Sequence, residues 1–247
     1  MHQPEVKKER IAKVLARAGV ASRRECEVLI NAGRVALNGA VVAHPATLVG
    51  ADDVLKVDGK DVAPPQRTRL WRYHKPAGLV TTASDPQGRP TVFAALAGTL
   101  PRVISVGRLD INTEGLLLLT NDGELARYLE HPAQAIARTY RIRVHGVAND
   151  AMLTRLARGI NIDGIRYRSV SASIDSRRGI NCWMTMTLHE GKNREIKKLL
   201  EYLALHVTRL IRIGYGPFSL DDLRPSAAKE VPPDALRNLL PEYFAAT

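Results

Sequence analysis

The chain has 247 residues, room for one large domain or for a large and a small one. Its 45% hydrophobic content permits a proper core, while 36 Lys and Arg against 25 Asp and Glu leave a formal charge of +11 and a pI near 9.9. That excess argues against an acidic, self-contained surface and points to a polyanionic partner, nucleic acid being the commonest, with a merely solubilising basic surface as the alternative.

Residues 9–33 read as two short helices. In the first, Ile11, Val14, Leu15 and Ala18 recur at helical spacing, and Gly19 ends it. The second opens on Ser22-Arg23-Arg24-Glu25, a capping-box pattern. Cys26, Leu29 and Ile30 form its apolar stripe, and Gly33 is placed to close it in the left-handed region. RVALNGAVV follows, two short apolar runs joined at Asn38-Gly39, a strong hairpin signal. Eight bases (Lys7, Lys8, Arg10, Lys13, Arg17, Arg23, Arg24 and Arg34) face three acids (Glu9, Glu25 and Glu27) in this stretch. Residues 63–68, APPQRT, lack periodicity and contain proline, so a linker is expected there. It separates a small domain, residues 1–62, from a large one, residues 69–247.

The large domain opens with LWRYHKPAGLVTT, a strand interrupted at Lys75-Pro76-Ala77-Gly78. Residues 122–130 read as a helix with Leu125, Tyr128 and Leu129 on one face, stopped near Pro132. RTYRIRVH, residues 138–145, alternates: Tyr140, Ile142 and Val144 share one face, Arg141, Arg143 and His145 the other. Asn149 or Asp150 can cap a helix carrying Met152, Leu153 and Leu156. GINIDGIRY is a hairpin around Asp163-Gly164, and CWMTMTL and HVTRLIRI read as strands. Asn193 is placed to cap a helix bearing Ile196, Leu199, Leu200 and Leu203. Hairpin-linked strands with interspersed helices argue for an α+β fold, its large domain built on a largely antiparallel mixed sheet with flanking helices.

Several chemistries are disfavoured. Cys26 and Cys182 are far apart, which speaks against a disulfide scaffold and fits a reducing compartment. The seven histidines are scattered, none at ligand spacing from Cys or Glu, so no metal site is expected. The beginning, MHQPEVKKERIAKV, lacks the apolar stretch of a signal peptide. The longest strongly apolar run, residues 116–119, is far too short for a membrane span. A soluble cytoplasmic protein is expected. One acid draws attention: Asp110, in the polar stretch GRLDINTEG between two apolar runs. A carboxylate there can be a general base, a nucleophile or a metal ligand, or simply a turn acid; with Glu114 it could form a hydrolase pair.

Four segments, in order, carry a resemblance: the basic start of two helices and a hairpin, KPAG, GRLDINTEGLLLLTNDGELA and EGKNREIKKLL. The first resembles the S4 RNA-binding module. Together they resemble the RsuA/RluB family of ribosomal RNA pseudouridine synthases, and the wording after Asp110 looks closer to the large-subunit RluB type. The resemblance implies isomerisation of one uridine in rRNA or a pre-ribosomal particle by a monomer. Such a reaction needs no cofactor, metal or cosubstrate. It implies that Asp110 is the catalytic carboxylate, with attack on the ring, attack on the sugar and proton abstraction all open. The target base must be extruded into a pocket. Arg108 would fill the vacated space or hold phosphate, Tyr140 would lie against the base, and Ile196 would wall it. Lys197 would pair with Asp110, a point charge where many relatives carry an arginine fork. Lys192 and Arg194 could reach phosphates, a solvated basic turn being the alternative, and Arg17, Arg23 and Arg24 belong to the RNA-binding start. The competing reading is a non-catalytic rRNA-binding or ribosome assembly factor on the same fold.

Overall fold

The computed structural model describes residues 8–64 and 66–245; Lys7 and Pro65, named above, lie outside the described residues. The chain divides into two compact units, one running to Thr68 and taking in Asn121–Gly123, the other holding Arg69–Thr120 and the chain from Glu124 onward.

In the first unit the two expected helices are Ile11–Arg17 and Arg23–Asn31. Each ends in a glycine at positive φ, Gly19 at 84° and Gly33 at 68°. At each end two orphan carbonyls are satisfied: Gly19 and Val20 donate to Ala16 and Leu15, and Gly33 and Arg34 to Ile30 and Leu29. The Ser22–Glu25 capping box is complete, with bonds of 3.2 and 2.7 Å. Ile11, Leu15, Cys26 and Ile30 pack on Val35, Val49 and Leu55 to form a separate small core. Asn38-Gly39 turns the expected hairpin, both residues at positive φ. A second hairpin, Leu55–Val57 with Lys60–Asp61, turns at Asp58-Gly59 and completes a four-stranded antiparallel sheet. The stretch expected as linker is pinned at its end: Asn121 donates to the Arg67 carbonyl (2.9 Å) and Thr68 to Asp122 (2.5 Å).

The second unit is built on a mixed sheet of nine strands among the described residues. Every pairing in it is antiparallel except one. Glu114–Thr120 and His206–Tyr215 run parallel, joined at Glu114/Ile211 and Gly115/Arg212. That seam needs a glycine. A Cβ at Gly115 would stand 2.2 Å from the Arg212 carbonyl oxygen, and its φ is 100°. The run of four leucines, 116–119, is buried on both faces. Leu116 and Leu118 pack with Leu125, Leu129 and the C-terminal helices, Leu117 and Leu119 with Trp71 and Tyr73. Farther along the sheet, the apolar face of Arg138–His145 packs with Met184, Met186 and the helices Asp150–Arg158 and Glu195–Tyr202. Cys182 lies in this core, and Cys26 in that of the first unit.

Two expectations need correction, and one strand went unforeseen. The strand expected to resume after Lys75-Pro76-Ala77-Gly78 ends at Lys75; only Val80 pairs again, in a single bridge with Thr91. SASIDSRR carries too few apolar residues to read as a strand, yet Ser171–Arg178 forms the sheet edge by pairing with Asn181–Leu188. Asn193 does not cap the Glu195–Tyr202 helix, for reasons given below. Among the described residues no helix is long and apolar enough to cross a membrane.

Candidate active site

A buried cation sets the course of the loop that carries Asp110. Lys75 ends its strand on the same face as Trp71 and Tyr73, so the pleat turns it inward, where it is completely buried. A buried ammonium needs acceptors. Its Nζ donates to the carbonyls of Pro76 (2.9 Å), Ile111 (3.1 Å) and Thr113 (2.8 Å). Burial pulls its pKa down to about 8, opposed by the charges of Glu114 and Asp110. Gly78 donates to the Ile111 carbonyl (2.8 Å), and Thr113 to that of Asp110 (2.9 Å). The Thr81 hydroxyl donates to the Leu109 carbonyl (2.9 Å), while the Leu109 side chain is sunk among Trp71, Tyr73, Leu117 and Leu119. Asp110 is thereby left at a cleft of about 870 Å³ with its side chain 45% exposed.

Across that cleft stands Lys197, in the first turn of the Glu195–Tyr202 helix, its Nζ 3.5 Å from Asp110 Oδ2. Tyr140 is half-buried between two cores and lines the same cleft, as does the buried Ile196. Arg108 and Arg194 are exposed cleft residues with no ion pair among those described. Lys192 also lines the cleft but is engaged by Glu190 and stands over the Tyr167 ring, 5.5 Å from its centre.

The start of that helix is organised by carboxyls. Arg194 is the cap residue, in the left-handed region at φ 52°, with no side-chain bond to the helix. Glu195 reaches back instead and accepts the Lys192 N–H at 3.0 Å, while its own N–H donates to the Lys192 carbonyl at 3.2 Å. This closed turn takes the place of an asparagine cap. Burial, reinforced by the neighbouring Glu190, pushes Glu195 up to about 7. Glu190 would also be raised by burial, but the Lys192 ammonium and the Arg168 N–H hold it low.

The fold brings together six of the expected residues, Asp110, Tyr140, Lys197, Arg108, Ile196 and Arg194, with Lys192 beside them. Arg17, Arg23 and Arg24 lie in the first unit. Arg17 pairs with Glu9 (2.7 Å), Arg23 with Glu27 (3.5 Å), and Arg34 with Asp58, so much of the basic charge there is neutralised; Arg24 is exposed. Four residues escaped sequence reasoning. Lys75 and Glu195 hold the two loops. Arg138 lies over the Tyr215 ring and donates to its hydroxyl (3.2 Å), and the buried Arg212 donates to the Leu116 carbonyl (2.7 Å). Lys75, Arg138 and Arg212 share a signal: each is a cation at an inward position of a strand pattern, beside Tyr73, Tyr140 and Leu210 respectively.

A hydrolase pair of Asp110 and Glu114 does not form. Arg209 binds Glu114 through two hydrogen bonds of 2.8 and 2.9 Å and holds its pKa down, and Glu114 is not among the cleft-lining residues. Among the described residues no three His, Cys, Asp or Glu side chains cluster as a metal site.

Comparison with known proteins agrees with this geometry. Residues 69–202 match the family described as RNA pseudouridylate synthase, and residues 9–55 match the S4 domain. An RNA pseudouridine synthase of Rickettsia felis is 46% identical over 90% of this chain and 96% of its own length. Ribosomal large subunit pseudouridine synthase B of Haemophilus influenzae is 44% identical over 89% of this chain and 63% of its own. A crystal structure of a pseudouridylate synthase has the same fold, with a TM-score of 0.64, 23% identity, and coverage of 93% of this chain and 99% of that one. With a cleft in which the loop carboxylate faces a helix-borne ammonium, and with matches across both units, the chain belongs to the RNA pseudouridylate synthase family, enzymes that isomerise uridine in RNA.

Proposed function

We propose that the protein converts one uridine of large-subunit ribosomal RNA to pseudouridine, with Asp110 as the catalytic carboxylate. The observation that carries this reading is the Asp110–Lys197 pair, 3.5 Å apart in a cleft that Tyr140 also lines. The reaction breaks the bond between the ribose C1′ and N1, forms one from C1′ to C5, and moves a proton from C5 to N1, so atoms balance without a second substrate. Whether the carboxylate adds to ring or sugar or takes the proton, it acts as the anion, and Lys197 faces it at 3.5 Å. Tyr140 is placed to stack on an extruded uracil and Ile196 to wall it. Arg108 and Arg194 are placed to hold flanking phosphates or fill the gap left in the RNA. The first unit grips structured rRNA, and the protein works as a cytoplasmic monomer.

The homologue names favour ribosomal RNA over other RNAs, and the large subunit over the small. Asp110→Asn should abolish pseudouridine formation in a single-turnover assay on a 23S-type rRNA fragment while RNA affinity stays within about twofold, because the amide can neither add nor act as base. Residual activity above about a tenth of wild type overturns the assignment, since an essential catalytic group is worth orders of magnitude. A native protein that binds the fragment but leaves every uridine unchanged would favour the assembly-factor reading.

A further inference from the structure

We infer that the outer face of the catalytic sheet, the face opposite Tyr140, is a second RNA surface that takes an unpaired stretch of the substrate; this rests on the protein being an RNA enzyme. On Arg138–His145 the outward positions are Arg141, Arg143 and His145. Strand register sets Trp183 directly beside Arg143, with Ser176 beyond it and Arg209 on the other side. The next row places Arg178 opposite Asn181, with His145 and His206 following. Arg143, Ser176, Arg178, Asn181 and Trp183 line a groove of about 640 Å³.

The charges on this face are uneven. Arg209 is spent on Glu114, and Arg141 stands over the Trp183 ring at 4.9 Å and 3.9 Å from Asp175. The side chains of Arg143 and Arg178 are exposed and make no hydrogen bond or ion pair among the described residues. Two guanidiniums without acids, beside a half-exposed indole, make a surface complementary to a phosphate backbone with a stackable base. This is the combination with which sheets bind single-stranded RNA. An acidic protein partner would satisfy the arginines but leaves the indole without a base to stack on. Trp183 stands three strand spacings, about 14 Å along the sheet, from the strand that leaves the Asp110 loop, and on the other face, so nucleotides flanking a target in the cleft reach it by passing round the sheet.

Trp183 also supplies the readout. The chain has two tryptophans, and Trp71 is buried at 3% exposure, so ligand-dependent quenching reports on Trp183. A short oligoadenylate, which contains no uracil for the cleft, is titrated into the full protein at several salt concentrations. Saturable quenching is expected. The double variant Arg143→Glu/Arg178→Glu should weaken binding about tenfold or more and lower the slope of log affinity against log salt by about 1.4, two phosphates' worth for a single strand. Trp183→Leu should weaken binding about tenfold when followed by a label on the RNA. Thermal midpoints are measured alongside, and each variant is expected to melt like the native protein. Absence of quenching in the native protein, or an unchanged affinity and salt slope in the double variant, overturns the proposal. Equal quenching by heparin, which has no bases, overturns the stacking assignment. Asp110→Asn should bind the oligoadenylate like wild type. If the native protein does so yet forms no pseudouridine, the enzymatic assignment fails and the groove stands.

Discussion

The loop that carries Asp110 is pinned through its backbone, whereas the turn that carries Lys197 is pinned through carboxyl side chains. Residues 107–113 surrender carbonyls to Lys75, Gly78 and Thr81, so their path is dictated by a single interior ammonium and a few main-chain bonds. Residues 190–195 close on Glu190 and Glu195, two acids brought together out of full solvent contact, with Glu195 raised to about 7. The carboxylate is thus presented by a frame that behaves as core, and the cation by a frame that holds a proton only up to neutral pH. The pair at 3.5 Å is the point where these unlike supports meet.

Substitutions at three positions sharpen this contrast. The largest effect is expected at the meeting point. Lys197→Met should slow single-turnover pseudouridine formation about a hundredfold, the usual scale for removing one preorganised electrostatic partner, and Lys197→Arg should recover most of it. Equal rates for Met and wild type would mean that the ion pair is incidental. Next comes the backbone frame. Lys75→Met removes the interior donor to the Pro76, Ile111 and Thr113 carbonyls, of which Ile111 keeps Gly78, and should cost about 3 kcal/mol of stability, visible as a thermal midpoint lower by about 6–12 °C. Activity measured well below that midpoint should fall as well, because the loop loses its anchor; an active variant of native stability would show that Lys75 does not set the course of the loop.

The smallest effect tests the carboxyl frame. Because the folded-state pKa of Glu195 is raised above its ordinary 4.5, the native protein binds more protons than the unfolded chain between about 4.5 and 7. Its contribution to stability is present in full below that window, declines as pH rises through it, and is flat beyond about 7. Glu195→Gln should remove this decline, so that the variant gains on wild type by a few degrees at pH 8 but not at pH 4.5. Parallel melting curves for the two proteins across that range would show that Glu195 does not carry the raised proton.

Local chemistry was readable wherever a few neighbouring residues settle the backbone. The two capped helices, the Asn38-Gly39 and Asp163-Gly164 turns, and the alternating strand of Tyr140 all follow from residues within one or two turns of each other. Asp58-Gly59 carries the same turn chemistry, although its hairpin went unread. The edge strand Ser171–Arg178 was not, because its polar sequence has no face to bury and is ordered by the partner strand. The Asn193 cap failed for a related reason. A helix start has several orphan N–H groups, and which acceptor reaches them depends on where Glu190 and the Arg168 backbone bring the chain.

The sequence by itself determined the classes of structure and chemistry: a basic chain, an α+β fold, and a short polar loop bearing one acid in a motif long enough to assign a family. Motif and periodicity are local, and local order suffices to specify them. Lys197 as the partner of Asp110 was implied by the motif, its distance of 3.5 Å was not; only the tertiary structure decided that distance, that Glu114 is taken by Arg209, and that Lys75 is buried behind the loop. Each of those facts joins residues between 36 and 95 positions apart, or buries a charge that composition would place in water. Such choices are made when strands select partners and interior charges find acceptors, a competition among distant groups that no single stretch of the chain contains.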